Sequence, residues 1–219
     1  MTDAAGRVVT FAYDALGRRQ TVSNTTSGSI EIAGFTYTPN GKRASLTDGN
    51  SHVTSYTYDG FDRLSRTSFA DSSTEGYTYD AAGNVLTRTT RSGNTITLTY
   101  DVLNRLATKA PQGEATVTYT YDLIGRVLTV ATSTANTLTY AYDTAGRLHT
   151  ATAPIGTGTP VDQTITYGYD SNGNRTSLQY PGSDGYTVSY AFDALNRLTK
   201  VSDSTGVSTG TEVSLIVGY

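Results

Sequence analysis

A Tyr-Asp pair recurs along this chain at an almost constant interval. Five aspartates stand 21 residues apart: Asp59, Asp80, Asp101, Asp122 and Asp143. The same phase extends to Asp3, Asp14 and Thr38 before them and to Asp170 and Asp193 after them, at intervals of 11, 24, 21, 27 and 23 residues. A repeat of this length is typical of architectures in which each unit packs on its neighbours. We therefore interpret residues 1–219 as one array of about ten units, each phased on one of these ten anchor positions.

The residues before each anchor alternate between bulky and small side chains. From Asp14 onward, an aromatic residue stands one position before the anchor, a second bulky residue stands three before it, and a small residue lies between them, as in Tyr56-Thr57-Tyr58. A period of two predicts a strand with an aromatic face and a small, hydroxyl-rich face. The tyrosines that form candidate stacking rows on the aromatic face are Tyr56, Tyr58, Tyr77, Tyr79, Tyr119, Tyr121, Tyr140, Tyr142, Tyr167 and Tyr169.

The residues after each anchor predict a tight reversal. The third is always Gly, Asn or Asp, which tolerate a positive φ, and the fourth is usually Arg or Lys. A type I turn that begins at Asp and closes on a left-handed residue before a bulge joins two strands of a hairpin. The predicted turn residues are Asp14, Gly17, Arg18, Asp59, Arg63, Asp80, Gly83, Asp101, Arg105, Asp122, Gly125, Arg126, Asp143, Gly146, Arg147, Asp170, Gly173, Asp193 and Arg197.

Composition favours the same structure. The chain has 41 threonines, 17 tyrosines and 22 glycines, a mixture that suits strands and turns, and its net charge of -3 is too small to hold it open. We expect an all-β fold of stacked antiparallel hairpins, each with two strands of about seven residues, a tight turn at one end and a looser linker at the other. The extra residues of the longer repeats fall at 25–29, 153–160 and 181–185, where acquired contacts are expected.

Several classes of function are not supported by the sequence. No apolar run is long enough to cross a bilayer, there is no cysteine, and the near-neutral charge makes nucleic acid an unexpected partner. No motif for nucleophilic catalysis or phosphate binding occurs, and His52 and His149 stand in different repeats. The repeated Asp and Arg are explained by turn capping, because one carboxylate per repeat is too few for a calcium solenoid. We expect neither an enzyme nor a bound cofactor or metal.

A single hairpin cannot bury its aromatic face, so the units are expected to stack side by side. A twisted open sheet of about twenty strands would curl or spiral. The chain starts at the turn of one unit and stops just before the next anchor, which predicts that it is a piece of a longer array.

The pattern resembles the YD repeats of the RHS (rearrangement hotspot) family, as in residues 140–148, YAYDTAGRL, and 119–127, YTYDLIGRV. The resemblance covers essentially the whole chain. It implies a secreted or cell-surface protein whose repeats build a spiralling β-shell, which in bacterial members encloses a variable C-terminal toxin domain and in the teneurins serves cell adhesion. Expected partners are then flanking repeats and an enclosed or attached domain of the same parent chain. No segment matches the self-cleaving aspartate site of the family, so the resemblance implies a scaffold and not a cleavage activity.

Two hypotheses remain open at this stage. The favoured one is a structural module that scaffolds or encloses another domain, because the repeat is uniform and has no singular polar cluster. The alternative is a carbohydrate- or protein-binding adhesion module, in which the tyrosine rows or the long linkers contact glycans or a partner. Packing between strands is the simpler role for the tyrosines.

Overall fold

The computed structural model describes residues 8–24, 30–134, 136–155, 161–182 and 185–204. Within these ranges the chain forms strands and turns and contains no helix, so the all-β expectation is confirmed. The described residues accordingly include no helix that is long and apolar enough to cross a membrane. The first repeat unit, around Asp3, and the expected contact segment 25–29 lie outside the described residues, as do parts of the other two such segments, 156–160 and 183–184.

The chain divides into two compact units, residues 1–114 and residues 115–219. Ten strands belong to the first unit: β1 (Val9–Tyr13), β2 (Arg19–Asn24), β3 (Ile30–Tyr37), β4 (Arg43–Asp48), β5 (Val53–Tyr58), β6 (Leu64–Ser68), β7 (Thr74–Tyr79), β8 (Val85–Thr89), β9 (Thr95–Tyr100) and β10 (Leu106–Pro111). Eight strands belong to the second: β11 (Val117–Tyr121), β12 (Val127–Thr132), β13 (Thr137–Tyr142), β14 (Leu148–Ile155), β15 (Val161–Tyr169), β16 (Arg175–Gln179), β17 (Thr187–Phe192) and β18 (Leu198–Ser204).

Each unit is an antiparallel meander. In the first unit every strand from β1 to β10 pairs with the next strand along the chain. In the second unit the strands from β11 to β18 do the same. Within each unit the described strands contact only their sequence neighbours, so each meander is a single layer.

In the described part of the chain nine hairpins turn at the anchor positions, from Asp14 in β1–β2 to Asp193 in β17–β18. In each of them the register shifts near the turn, as between Thr57 and Tyr58 in the β5–β6 hairpin. The third residue after the anchor has a positive φ in all nine, for example 60° at Asp62 and 91° at Gly125. A type I turn followed by a left-handed residue and a bulge gives this combination.

The opposite edge of the first unit has turns of the same kind. The N–H of Asp48 donates to the carbonyl of His52 over 3.0 Å, and Ser51 closes the turn with a φ of 65°. Equivalent turns start at Phe69 and Thr90, 21 and 42 residues later, and close on Ser72 and Gly93. The expectation of a looser linker is therefore wrong for these three connections. The same backbone hydrogen bonds close them, and in two of them a serine takes up the positive φ that glycine usually supplies.

The two faces of the sheet differ as the alternation predicts. The aromatic face contains the residues one and three positions before each anchor, and these are half-buried except for Phe11 and Tyr13 in β1, which are exposed. The threonine face contains the intervening residues; Thr57, Thr78, Thr99 and Thr120 are exposed there. Their hydroxyls pair across strands, as between Thr78 and Thr87 at 2.7 Å. Among the described side chains only Val22 and Thr67, which are 9% and 6% exposed on the aromatic face, are buried.

Candidate functional site

The anchor aspartate organises its own turn. In the β5–β6 hairpin, Asp59 Oδ1 accepts hydrogen bonds from the backbone N–H groups of Phe61 and Arg63 over 2.9 and 3.0 Å. Asp59 Oδ2 accepts a third from Nε of Arg63 over 2.7 Å. One carboxylate therefore satisfies two backbone donors of the turn and fixes the orientation of the arginine, which is the capping role of Asp in turns.

The same contact recurs along the array. Nε of the arginine donates to Oδ2 of its anchor over 2.6 to 2.7 Å in six hairpins: Asp14–Arg18, Asp59–Arg63, Asp101–Arg105, Asp122–Arg126, Asp143–Arg147 and Asp193–Arg197. Asparagine replaces arginine in two others, where Nδ2 of Asn84 and Asn174 donates to Asp80 and Asp170 over 2.8 and 2.9 Å. The amide keeps the bond to the carboxylate but carries no charge.

The arginine also reaches the next repeat. The guanidinium carbon of Arg63 lies 4.5 Å from the centroid of the Tyr79 ring, and Nη1 of Arg63 donates to the carbonyl of Asp80 over 2.8 Å. Arginine stacks on tyrosine in the same way in three further pairs: Arg18–Tyr37, Arg126–Tyr142 and Arg147–Tyr169. We call the arrangement of an anchor, its arginine and the tyrosine of the following repeat the Asp–Arg–Tyr staple. It combines a charge-assisted hydrogen bond with a cation–π contact.

Several tyrosines that stand one position before an anchor also donate a hydrogen bond to the preceding repeat. The hydroxyl of Tyr79 donates to the carbonyl of Leu64 in the preceding repeat over 2.7 Å. Four others bind the equivalent carbonyl: Tyr37 to Arg19, Tyr58 to Arg43, Tyr100 to Val85 and Tyr142 to Val127. The preference for tyrosine over phenylalanine is thereby explained, since the hydroxyl pairs a backbone acceptor beside a bulge.

The eight aspartate anchors from Asp14 to Asp193 have a lowered pKa. For Asp14 the largest cause is the backbone hydrogen bond from Arg18, and for Asp80 it is the side-chain hydrogen bond from Asn84. The pKa of Tyr79 is raised, chiefly by burial and then by the negative charge of Asp59. Both shifts favour an ionised anchor beside a neutral tyrosine, which is the protonation state that the staple needs.

The predicted aspartates and arginines lie in the anchor turns, and among the predicted tyrosines Tyr79, Tyr142 and Tyr169 lie in staples. At Tyr79, Tyr142 and Tyr169 one ring face is covered by an arginine, so a stacked ligand would have to use the other face. The two histidines have separate partners: Nδ1 of His52 lies 3.1 Å from Asp48, and Nδ1 of His149 lies 3.2 Å from the carbonyl of Tyr167. The sequence did not predict that the two histidines act together, and in the structure each contacts a different residue.

The second edge of the first unit holds a polar cluster that sequence reasoning missed. Nη2 of Arg91 lies 2.7 Å from Asp71 and the guanidinium stacks on Phe69 at 4.1 Å. Hydrogen bonds from Ser73 and then from Arg91 lower the pKa of Asp71 to about 2. The signal that could have revealed it is the 21-residue spacing of Asp48, Phe69 and Thr90. The cluster is internally paired and borders a hollow of about 450 Å³ that His52 also lines.

Across the described part of the chain, no three His, Asp or Glu side chains come together in a group that could hold a metal ion. The repeated staple is a means of joining neighbouring hairpins. Its carboxylate, guanidinium and aromatic ring contact one another, as at Asp59, Arg63 and Tyr79.

Comparisons with known proteins agree with this structure. A family model described as the teneurin YD-shell matches residues 2–130 and 112–206. No curated protein matches the chain. Among solved structures, a chain in that of TcdB2-TccC3-Cdc42 is 19% identical to this one, with a TM-score of 0.75. The alignment covers 92% of this chain and 12% of the TcdB2-TccC3-Cdc42 chain.

Two further structures are similar. That of TcdB2-TccC3 without the hypervariable C-terminal region is 18% identical with a TM-score of 0.70, and covers 95% of this chain and 14% of that chain. A chain of the Tc holotoxin pore of Photorhabdus luminescens is 18% identical with a TM-score of 0.53, and the alignment covers 92% of this chain and 14% of that one. At this identity the structures show a shared fold, and the chain spans only about an eighth of their length. The match to the family model extends over nearly all of the repeats, and the chain belongs to the teneurin YD-shell family, a structural shell module.

Proposed function

We propose that this chain is part of the wall of a secreted or cell-surface β-shell, and that the wall scaffolds or encloses another domain of the same parent protein. The observation that supports the proposal most directly is the Asp–Arg–Tyr staple, since it recurs with the same few contacts at Arg18, Arg63, Arg126 and Arg147. A scaffold needs such uniform joints, whereas a catalytic or ligand site needs a singular one.

The single-layer sheets support the same function. Each meander leaves its aromatic face half-buried and its threonine face exposed, so the two sides of the wall offer different chemistry. The similar structure of TcdB2-TccC3 without its hypervariable C-terminal region suggests that such walls carry a further segment. By analogy, the partner proposed for this chain is an attached domain.

Cysteine labelling of the full-length gene product tests the proposal, because residues 1–219 contain no cysteine and an introduced one is the single thiol reporter within this part of the wall. Two exposed arginines of the first unit lie on opposite faces: Arg66 pairs with Thr57 on the threonine face, and Arg88 pairs with Tyr77 on the aromatic face. Arg66→Cys and Arg88→Cys are therefore a matched pair of reporters.

We expect a bulky hydrophilic maleimide to label one of the two cysteines at least about tenfold more slowly in the native protein than in the denatured one, because an enclosed face is shielded. The slower position also identifies the inner face. Equal, fast labelling of both cysteines would overturn the enclosing function and favour the adhesion alternative, in which both faces meet solvent.

A further inference from the structure

The aromatic face of the second unit contains an apolar hollow of about 320 Å³. Ala151 and Ala153 of β14 lie between larger residues on the neighbouring strands, and Ala151 is paired with Tyr140 on one side and Ile165 on the other. Leu138, Tyr180 and Pro181 complete most of the lining. Ala153 and Ile155 at the start of one lengthened segment and Pro181 at the start of another therefore line the same concavity.

The hollow exists because one repeat departs from the others. Ala151 is the eighth residue after its anchor, Asp143. The other eight described hairpins carry a larger side chain at this position: Val22, Leu46, Thr67, Arg88, Lys109, Val130, Leu178 and Val201. Two of these, Val22 and Thr67, are the buried side chains of the first unit. The methyl group of Ala151 therefore leaves space on the aromatic face that a larger side chain would fill.

A second hollow, of about 250 Å³, adjoins the first. Val127, Val130, Tyr142 and Leu148 line it, and Tyr140 lines both hollows. None of the described residues that line either hollow is charged. A charged group in either hollow would lose its hydration without gaining a partner, so the chemistry selects apolar groups.

We propose that the two hollows bind two bulky apolar side chains of one extended polypeptide segment that crosses the aromatic face of the second unit. Alternate side chains of an extended chain point the same way at a spacing of about 7 Å, which suits two adjacent hollows separated by one ring. A small apolar molecule would need only one of them. The inference rests on the proposed function, because the segment is taken to belong to the attached domain.

Methyl NMR of the chain, titrated with the capped peptide acetyl-Phe-Ser-Phe-amide, tests the inference. We expect saturable shifts of the methyl groups of Ala151, Ala153 and Ile165. The peptide acetyl-Phe-Ser-Ser-amide should bind about tenfold more weakly, because the second phenylalanine acts intramolecularly. Absence of saturable shifts overturns the proposal, and equal affinities of the two peptides overturn the polypeptide as occupant in favour of a single apolar group.

A pair of matched variants assigns the site. Ala151→Leu introduces the side chain that two other repeats carry at this position, Leu46 and Leu178, so the fold tolerates it and the first hollow is filled. We expect it to weaken peptide binding at least about tenfold. Ala131→Leu makes the same change on the threonine face of β12 and should leave binding unchanged.

Binding that survives Ala151→Leu, or that Ala131→Leu weakens equally, contradicts the proposed site. The substitutions Arg66→Cys and Arg88→Cys lie in the first unit, so the labelling experiment does not depend on the hollows of the second unit. Failure of the enclosing function and failure of the binding site are therefore distinguishable.

Discussion

The guanidinium of Arg63 stacks on the ring of Tyr79, with 4.5 Å from the guanidinium carbon to the ring centroid, although the two residues belong to successive repeats. Arg63 is oriented by Asp59 in its own turn, and Tyr79 is tied back to the carbonyl of Leu64. The contact thus joins two successive hairpins at one edge of the sheet. Because each meander is a single layer, neighbouring hairpins are held together by strand pairing and by such contacts, without a second layer of the same unit packed on them.

Removing the arginine of one staple should weaken the sheet measurably. Arg63→Ala removes the ion pair to Asp59, the stacking on Tyr79 and the hydrogen bond to the carbonyl of Asp80. We expect the free energy of unfolding to fall by about 1–2 kcal/mol in urea denaturation. The control Arg66→Ala removes an exposed arginine from the threonine face and should change it by less than about 0.5 kcal/mol. Equal effects of the two variants would argue against the staple.

The hydroxyl of a staple tyrosine can be tested separately from its ring. Tyr79→Phe keeps the stacking but leaves the carbonyl of Leu64 without its 2.7 Å hydrogen bond, so we expect a loss of about 1 kcal/mol in unfolding free energy. In the control Tyr77→Phe only a 3.3 Å bond to Glu75 is lost. A control variant at least as destabilised as Tyr79→Phe would show that the backbone contact contributes little.

The third position after the anchor needs a residue that tolerates a positive φ, which is Gly, Asn or Asp in this chain, whereas the first position does not. Gly125 has a φ of 91°, with open space around its absent Cβ, so Gly125→Ala adds only backbone strain and should destabilise by about 1 kcal/mol. Gly60 also has open space but no positive φ, and alanine stands at its position in the Asp14 and Asp80 turns. Gly60→Ala should therefore be neutral or slightly stabilising in thermal denaturation, and a shared destabilisation would argue against the turn assignment.

Acid should weaken the turns in a defined range of pH. The pKa of Asp71 is about 2 in the folded chain against 3.8 for an ordinary aspartate, so its ionised form stabilises the fold. That contribution is present above about pH 4 and is lost as the pH falls towards 2. Carboxyl NMR titration measures the shift directly.

The order of the causes provides the control for that titration. The side-chain hydrogen bond from Ser73 lowers the pKa of Asp71 most, its backbone hydrogen bond comes second, and the hydrogen bond and the charge of Arg91 each follow. Ser73→Ala should therefore raise the pKa further towards 3.8 than Arg91→Ala does. The reverse order would show that the arginine, and not the turn, sets the acidity of this carboxyl.

The sequence alone was sufficient for the repeat, the strand alternation and the anchor turns, because these depend on local backbone sterics and on residues a few positions apart. Asp59 and Asp62 reveal their turn by spacing and by tolerance of positive φ. The second-edge turns were missed because Ser51 and Ser72 do not indicate a left-handed conformation as glycine does. The 21-residue spacing of Asp48, Phe69 and Thr90 was present but hidden by their different side chains.

Contacts between repeats required the tertiary structure. Nothing in the sequence shows that Arg63 stacks on Tyr79, or that Ala151 lies between Tyr140 and Ile165, because both depend on which strands pair and in which register. A shift of one residue would move every side chain to the other face. The sequence by itself determined the hairpin and its family, through local sterics repeated from one unit to the next. The register between hairpins, which only the tertiary structure fixes, decided which side chains form staples and where the aromatic face is hollow.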